Sequence, residues 1–318
     1  MRIIFMGTPD FSVGTLEALI QAGHEIALVV SQPDKPKGRG HELTPTPVKE
    51  AALRHNLNIY QPRRLRDEEA EAVLRDVRAD VIVVVAFGQI IPPSILNMKP
   101  YGCINVHASL LPKYRGAAPI QWAVIDGEKE SGVTIMQMDE GLDTGDMLLK
   151  GVIPLEEKET GGSLFDKLSA LGASLCVEAL EKLEKGTLKP EKQGETTTPY
   201  AKMLTKEMGD LDWTRPAEEL ERLIRGLNPW PGAYTRMEGK ILKLWASDAD
   251  RDGECPAGAA CGEILKVEKD AVHVACGSGL LKLTELQLQG RKRMDAAAFL
   301  RGYRLEPGMR LGKNGPLE

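Results

Sequence analysis

Short apolar runs without polar alternation recur through the first half of this 318-residue chain, and they leave few folds open. Residues 3–6, 26–30, 81–86, 103–106 and 133–138 are each about one strand long and rich in Val and Ile. A strand that is apolar at every position is buried on both faces, which is the condition of a parallel sheet covered by helices. The segments between the runs have helical spacing. In residues 12–22, Val13, Leu16, Leu19 and Ile20 share a face, and Gly23 stands where such a helix stops. Residues 68–77 form a charged helix and residues 164–183 a long one. The expected fold class is α/β, with a Rossmann-like doubly wound parallel sheet in the N-terminal domain.

The pattern changes near residue 190. Residues 190–208 are rich in Pro, Gly, Thr and Lys and read as a linker, so the expected domains are 1–189 and 209–318. After the linker, Thr214 stands as an N-cap with Pro216 in the first turn. Leu220, Leu223, Ile224 and Leu227 then form a single apolar face. Short alternating segments follow at residues 241–245, 262–267, 271–275 and 280–288, separated by Gly- and Asp-rich turns. That spacing fits a small OB-like β-barrel, a type that commonly binds oligonucleotides.

Several classes of function are set aside by what is missing. No segment approaches the roughly 18 consecutive apolar residues that span a bilayer, so no membrane association is expected. The opening M-R-I-I-F-M-G runs directly into a strand pattern and lacks the apolar core and cleavage site of a signal peptide. Five irregularly spaced cysteines suggest reduced thiols and a cytoplasmic setting, and Cys255 and Cys261 are too isolated to suggest zinc. No metal is expected. The first turn, G-T-P-D-F-S-V-G, is not the dinucleotide fingerprint, and Pro9 removes a backbone donor from it. Net charge is −5, yet residues 282–313 concentrate Arg291, Lys292, Arg293, Arg301, Arg304 and Arg310 against few carboxylates. An acidic protein with such a patch can still meet a polyanion locally.

The candidate chemistry lies in N-V-H-A-S-L-L-P-K-Y-R-G, residues 105–116. Asn105 and His107 are two apart on a strand, so they project from the same face near its C-terminal end, where open α/β sheets bind ligands. An amide donor beside an imidazole suits catalysis, although either residue serves equally as a turn or structural group. Asp143, in G-L-D-T-G-D, joins them. Gly141 and Gly145 permit a tight, positive-φ backbone that aims the carboxylate inward, and a plain turn is the other reading. V-V-V-A-F-G-Q-I-I-P, residues 83–92, ends a strand in an apolar loop able to hold a flat heterocycle through backbone groups. Residues 31–48 lack periodicity and carry Lys35, Lys37 and Arg39, with glycines on both sides of Arg39. Such a loop either reaches a partner or is a surface insert.

These motifs, with the opening M-G-T-P-D-F, Q-P-D-K-P-K-G-R-G and N-P-W-P-G-A-Y, resemble the methionyl-tRNA formyltransferase family along essentially the whole chain. The Asn/His/Asp set with S-L-L-P is shared by the wider class of 10-formyltetrahydrofolate-dependent enzymes, so it speaks for the donor and not the acceptor. The resemblance implies a formyltransferase catalytic domain at 1–189 and an OB-like tRNA-binding domain at 209–318. It implies transfer of a formyl group from 10-formyltetrahydrofolate to the α-amine of methionyl-initiator tRNA, releasing tetrahydrofolate, for translation initiation. Asn105, His107 and Asp143 would be catalytic, with Asn105 and His107 stabilising the oxygen of a tetrahedral intermediate. Either His107 or Asp143 would handle the proton. Ser109, Leu110, Leu111, Pro112, Phe87, Gly88 and Ile90 would line the folate site. Arg39, Lys35 and Lys37 would reach the acceptor stem, and Arg291, Lys292 and Arg293 would meet the tRNA backbone. No stable protein partner is implied. The competing expectations are a formyltransferase for a small amine or amino sugar and a formyltetrahydrofolate hydrolase.

Overall fold

The computed structural model describes residues 1–37, 42–250, 253, 255, 256 and 258–312. The chain divides into two compact units. The first comprises Met1–Pro119, Glu130–Pro154 and Phe165–Ala201, and the second comprises Ile120–Lys129, Leu155–Leu164 and Lys202–Glu318. The stretch expected to act as a linker therefore divides after Ala201. Among the described residues, no helix is long and apolar enough to cross a membrane.

The first elements are β1 (Arg2–Gly7), α1 (Asp10–Gln21), β2 (Glu25–Val30), β3 (Lys35–Lys37), β4 (Glu42–Thr44) and α2 (Pro47–Arg54). Next come β5 (Ile59–Tyr60), α3 (Glu68–Asp76), β6 (Val81–Val85), α4 (Pro93–Leu96) and β7 (Cys103–His107). After them lie α5 (Pro119–Ile125), β8 (Glu130–Gln137), β9 (Met147–Pro154) and α6 (Gly161–Glu184). Seven strands form one sheet in the order β5-β2-β1-β6-β7-β8-β9. The first five are parallel, as the apolar runs predict: Ile3, Ile4, Phe5 and Met6 of β1 and all of β6 are buried. The order reverses at β1, so the switch point lies between β1 and β6. Ser12 Oγ donates to the Val85 carbonyl at 2.6 Å and Thr8 Oγ1 to the Phe87 carbonyl at 2.8 Å, which ties the two strand exits together.

Some expectations need correction. The sheet is mixed and not wholly parallel, because β8 and β9 run antiparallel to their neighbours. The loop between β8 and β9, residues 138–146, is too short for a crossover, so the chain has to return antiparallel. The 31–48 stretch is not structureless: β3 and β4 pair antiparallel across it, Lys35 opposite Thr44, and α2 follows with Thr46 Oγ1 accepting from the Lys49 N–H. Helix α1 starts at Asp10 with Pro9 at its N-cap, where a missing donor costs nothing.

The second unit carries a 3-10 turn at Lys206–Gly209, then α7 (Ala217–Gly226), β10 (Ala233–Met237), β11 (Lys240–Asp250), β12 (Ile264–Val267), β13 (Val272–Ala275), β14 (Leu280–Leu288), β15 (Met294–Asp295) and α8 (Ala296–Gly302). Its strands form an antiparallel sheet, β10-β11-β14-β13-β12, with β15 also paired to β14. Leu220 and Ile224 of α7 and Phe299 of α8 pack with the inward residues Leu242, Leu244, Leu281 and Leu283. The cap of α7 is Pro216 and not Thr214, whose hydroxyl donates to Asp212 Oδ1 at 2.7 Å instead.

Candidate active site

Asn105 sits within the sheet, paired with Val84 of β6 and Met136 of β8, so only its carboxamide projects. Among the described residues, no protein group bonds that carboxamide, which leaves both of its N–H donors unspent. His107 ends β7 and is 6% exposed. Its Nε2 lies 3.0 Å from the Tyr114 carbonyl oxygen. A carbonyl only accepts, so Nε2 carries a hydrogen and Nδ1 is the nitrogen left to take up a proton. Nδ1 lies 3.7 Å from Asp143 Oδ1.

Asp143 reaches that position by an indirect path. The loop leaves β8 beside Cys103, whose carbonyl accepts from the Met138 N–H at 2.8 Å, at the opposite end of β7 from His107. It therefore folds back along β7. The residue in left-handed conformation is Asp143 itself (φ +56°), and not the flanking glycines. Gly145 serves close approach instead, since a Cβ there would lie 1.8 Å from the Gln137 carbonyl. The second carboxylate oxygen of Asp143 accepts from the Gly116 N–H at 2.9 Å, so the carboxylate bridges the His107 imidazole and the loop that follows β7.

That loop is fixed from β8. Thr134, opposite His107 in the ladder and fully buried, donates from Oγ1 to the Ser109 carbonyl at 2.7 Å. The same oxygen accepts from the Leu111 N–H at 3.1 Å. Ser109 Oγ donates onward to the Lys113 carbonyl at 2.7 Å. Leu111 packs in a small buried cluster with Met136 and Met147. Leu110 and Pro112 face the other way, lining a cavity of about 290 Å³ with Tyr114, Ser131 and Thr197.

The family model for formyl transferases matches residues 1–180, and the model for the formyl transferase C-terminal domain matches residues 203–304. A methionyl-tRNA formyltransferase from Lachnospira eligens is 58% identical over 315 residues, covering 98% of this chain and 100% of that protein. Its counterpart from Agathobacter rectalis is also 58% identical, over 97% of this chain and 98% of its own length. The chain belongs to the methionyl-tRNA formyltransferase family. Among solved structures, the sugar 3N-formyl transferase WlaRD, crystallised in the presence of dTDP and 5-N-formyl-THF, matches with a TM-score of 0.66 and 16% identity. It covers 92% of this chain and 99% of that one, a likeness that speaks for the fold alone.

The residues picked from the sequence for this family's chemistry fall into distinct groups. Asn105, His107 and Asp143 belong to one constellation on β7 and the 138–146 loop. Phe87 has its ring in the core, 2% exposed, and its carbonyl already accepts from Thr8 and from Gln32 Nε2 at 3.0 Å. Gly88 also accepts from Gln32, at 3.0 Å, while Ile90 is 81% exposed. None of these three lines the Leu110–Pro112 cavity. Lys35 donates to Gln32 Oε1 at 3.1 Å and borders a second cavity of about 360 Å³ with Thr8, Asp10, Thr44 and Thr46. The base of that region is braced by Asp34, whose carboxyl is held below the usual carboxylate range by hydrogen bonds from Gln61 (2.7 Å) and Lys49 (2.6 Å). Arg39 lies outside the described residues, as does the side chain of Lys37. In the second unit Arg291, Lys292 and Arg293 are all exposed, and Arg293 is bonded to Glu285 at 2.5 Å and lies 4.7 Å from the Trp245 ring centre.

Three groups at the site went unread in the sequence: Thr134, Gln193 and Thr198. Thr134 had a signal, a lone hydroxyl in the apolar run V-T-I-M of a buried strand. Gln193 and Thr198 had none, since their partners lie 48 to 84 residues away in sequence.

Proposed function

We propose that this chain transfers the formyl group of 10-formyltetrahydrofolate to the α-amino group of methionyl-initiator tRNA, giving N-formylmethionyl-tRNA for translation initiation. The observation that carries this reading is the identity with methionyl-tRNA formyltransferases across both the catalytic and the C-terminal parts. Residues 1–189 perform the catalysis and residues 209–318 hold the tRNA. The work belongs in the cytoplasm, where initiator tRNA is charged.

The donor supplies an electrophilic formyl carbon. The incoming α-amine has to be neutral to attack it, and such groups ionise near pH 8. The Asn105 carboxamide donates to the formyl oxygen as negative charge builds there, a contribution of roughly 3 kcal/mol in acyl transfer. As the new C–N bond forms, His107 Nδ1 takes the proton released by the amine, and Asp143 gives the resulting imidazolium a counter-charge. The tetrahedral intermediate then collapses with cleavage of the bond between the formyl carbon and N10, and the proton on Nδ1 passes to N10 as tetrahydrofolate leaves. Nε2 stays committed to the Tyr114 carbonyl, which holds the ring in the orientation this step requires. Ser109, Leu111 and Thr134 keep the loop rigid, while Leu110 and Pro112 offer apolar wall to the folate. The exposed Ile90 and the backbone at Phe87 and Gly88 belong to the donor site at the exit of β6, outside the Leu110–Pro112 cavity. Leu110 and Pro112 border a cavity that Lys113, Tyr114, Glu130, Ser131 and Thr197 complete.

On the acceptor side, Lys35, Lys37 and Arg39 meet the end of the acceptor stem, and Arg291, Lys292 and Arg293 meet phosphates. Arg291→Ala and Lys292→Ala are each expected to lower the slope of log affinity against log salt by about 1, whereas Arg293, already paired, contributes less. Titration of charged initiator tRNA between about 50 and 200 mM salt measures this, and an unchanged slope in both variants removes the assignment. The activity itself is tested by supplying 10-formyltetrahydrofolate with methionyl-initiator tRNA, uncharged tRNA or free small amines. Formyl transfer to the charged tRNA alone is expected; equal transfer to small amines would point to a different acceptor class.

A further inference from the structure

We propose that residues 191–201 form a strap belonging to the catalytic site, and that Gln193 on it is a positioning residue that sets Asp143 against His107. The proposal rests on the catalytic reading of Asn105, His107 and Asp143. Backbone bonds pin the strap at both ends. Glu191 and Met147 exchange N–H···O bonds at 2.8 and 2.9 Å, and the Ala201 N–H donates to the Arg115 carbonyl at 2.8 Å. The Ala201 carbonyl accepts from Ala117 at 2.8 Å. Gly116 (φ +129°) leaves room for this approach, since a Cβ there would lie 2.6 Å from the Ala201 carbonyl.

Between the pins, two side chains reach inward. Gln193 Nε2 donates to the carbonyls of Asp143 at 2.8 Å and Gly145 at 2.7 Å. Gln193 Oε1 accepts from Arg115 Nε at 3.0 Å and from the terminal guanidinium nitrogen at 2.8 Å. The amide orientation is unambiguous, because a guanidinium only donates and carbonyls only accept. Both donors and both lone pairs of the amide are used. The bonds close a ring: Asp143 carbonyl, Gln193, Arg115, and then the adjacent Gly116 N–H, which returns to the Asp143 carboxylate at 2.9 Å. Farther along, Thr198 Oγ1 accepts from the Tyr114 N–H at 2.7 Å, and the Tyr114 carbonyl is the group that orients His107. The strap thus holds the partner of each ring nitrogen. Asp143 and Tyr114 both lie at φ +56°, a conformation that side chains resist and that needs outside support.

Two variants separate the contributions of the amide. Gln193→Met keeps the volume and removes every polar contact. Gln193→Glu keeps the acceptor for Arg115 but loses both donors and puts negative charge beside two carbonyls. Both are expected to lower kcat about 10- to 100-fold, with KM for folate and charged tRNA nearly unchanged, since a small misplacement of a catalytic group costs rate and not binding. A melting temperature is recorded for each, and Asp143→Asn is assayed in parallel. Wild-type kcat in Gln193→Met, beside a disabled Asp143→Asn, overturns the strap while leaving the catalytic reading standing. An active Asp143→Asn overturns the catalytic reading itself. A full rate in Gln193→Glu, with a loss in Gln193→Met, would assign the residue to Arg115 and not to Asp143. A loss of melting temperature with kcat intact at low temperature would make the strap merely structural.

Discussion

Asn105→Ala is expected to slow formyl transfer about 100- to 1,000-fold in a single-turnover assay, while the affinity for charged initiator tRNA stays within twofold. The size follows from where the carboxamide is held. Its backbone is held between Val84 and Met136, which fixes the point from which the carboxamide projects, and no described protein group competes for its hydrogens. A donor with both hydrogens unspent can meet the charge that appears on the formyl oxygen without first giving up a protein partner. Asn105→Asp provides the complement. It keeps the shape but places charge of the wrong sign at the oxygen, so it should be at least as slow as the alanine variant. A rate within a few-fold of wild type in either variant would remove Asn105 from the reaction.

The parts of the fold legible in the sequence were those in which one environment extends along a whole element. β6 is buried and apolar throughout, and β1, β2 and β7 are apolar along most of their length, so the runs mark them directly. β9 is buried only at its first two residues and then alternates, and β10 alternates in A-Y-T-R-M; neither stood out from loop composition. β3 and β4 are three residues each among prolines, held by pairing with one another and not by intrinsic preference. The same contrast applies to the site. Asn105 and His107 share a face because of strand geometry, which two letters of sequence disclose. That Asp143 meets them depends on a loop folding back along β7, and Gln193 depends on a partner in a segment whose Pro, Gly and Thr content reads as linker. Composition reports how a chain behaves when unconstrained, and residues 191–201 are held in place at Glu191, Gln193, Thr198 and Ala201 by groups distant in sequence.

Asp143→Asn is expected to lower the rate about 100- to 10,000-fold with little change in the affinity for either substrate. The substitution is nearly isosteric, and its amide oxygen can still accept from the Gly116 N–H, so the loop should keep its course. What changes is the atom facing His107. Nε2 of that ring is bound to donate to the Tyr114 carbonyl, so in the neutral ring Nδ1 presents a lone pair. The amide nitrogen introduced by the substitution would donate to that lone pair, whereas the carboxylate 3.7 Å away leaves it open to the proton from the amine. The variant therefore loses the counter-charge and also occupies the proton's destination. Asp143→Ala separates the two effects: it frees Nδ1 but gives up the Gly116 tie. A slower Asp143→Asn than Asp143→Ala supports occupation of the lone pair, and the reverse order supports loss of loop placement. Wild-type rates in Asp143→Asn would mean that the charge is not needed and that the proton leaves by a route that avoids His107.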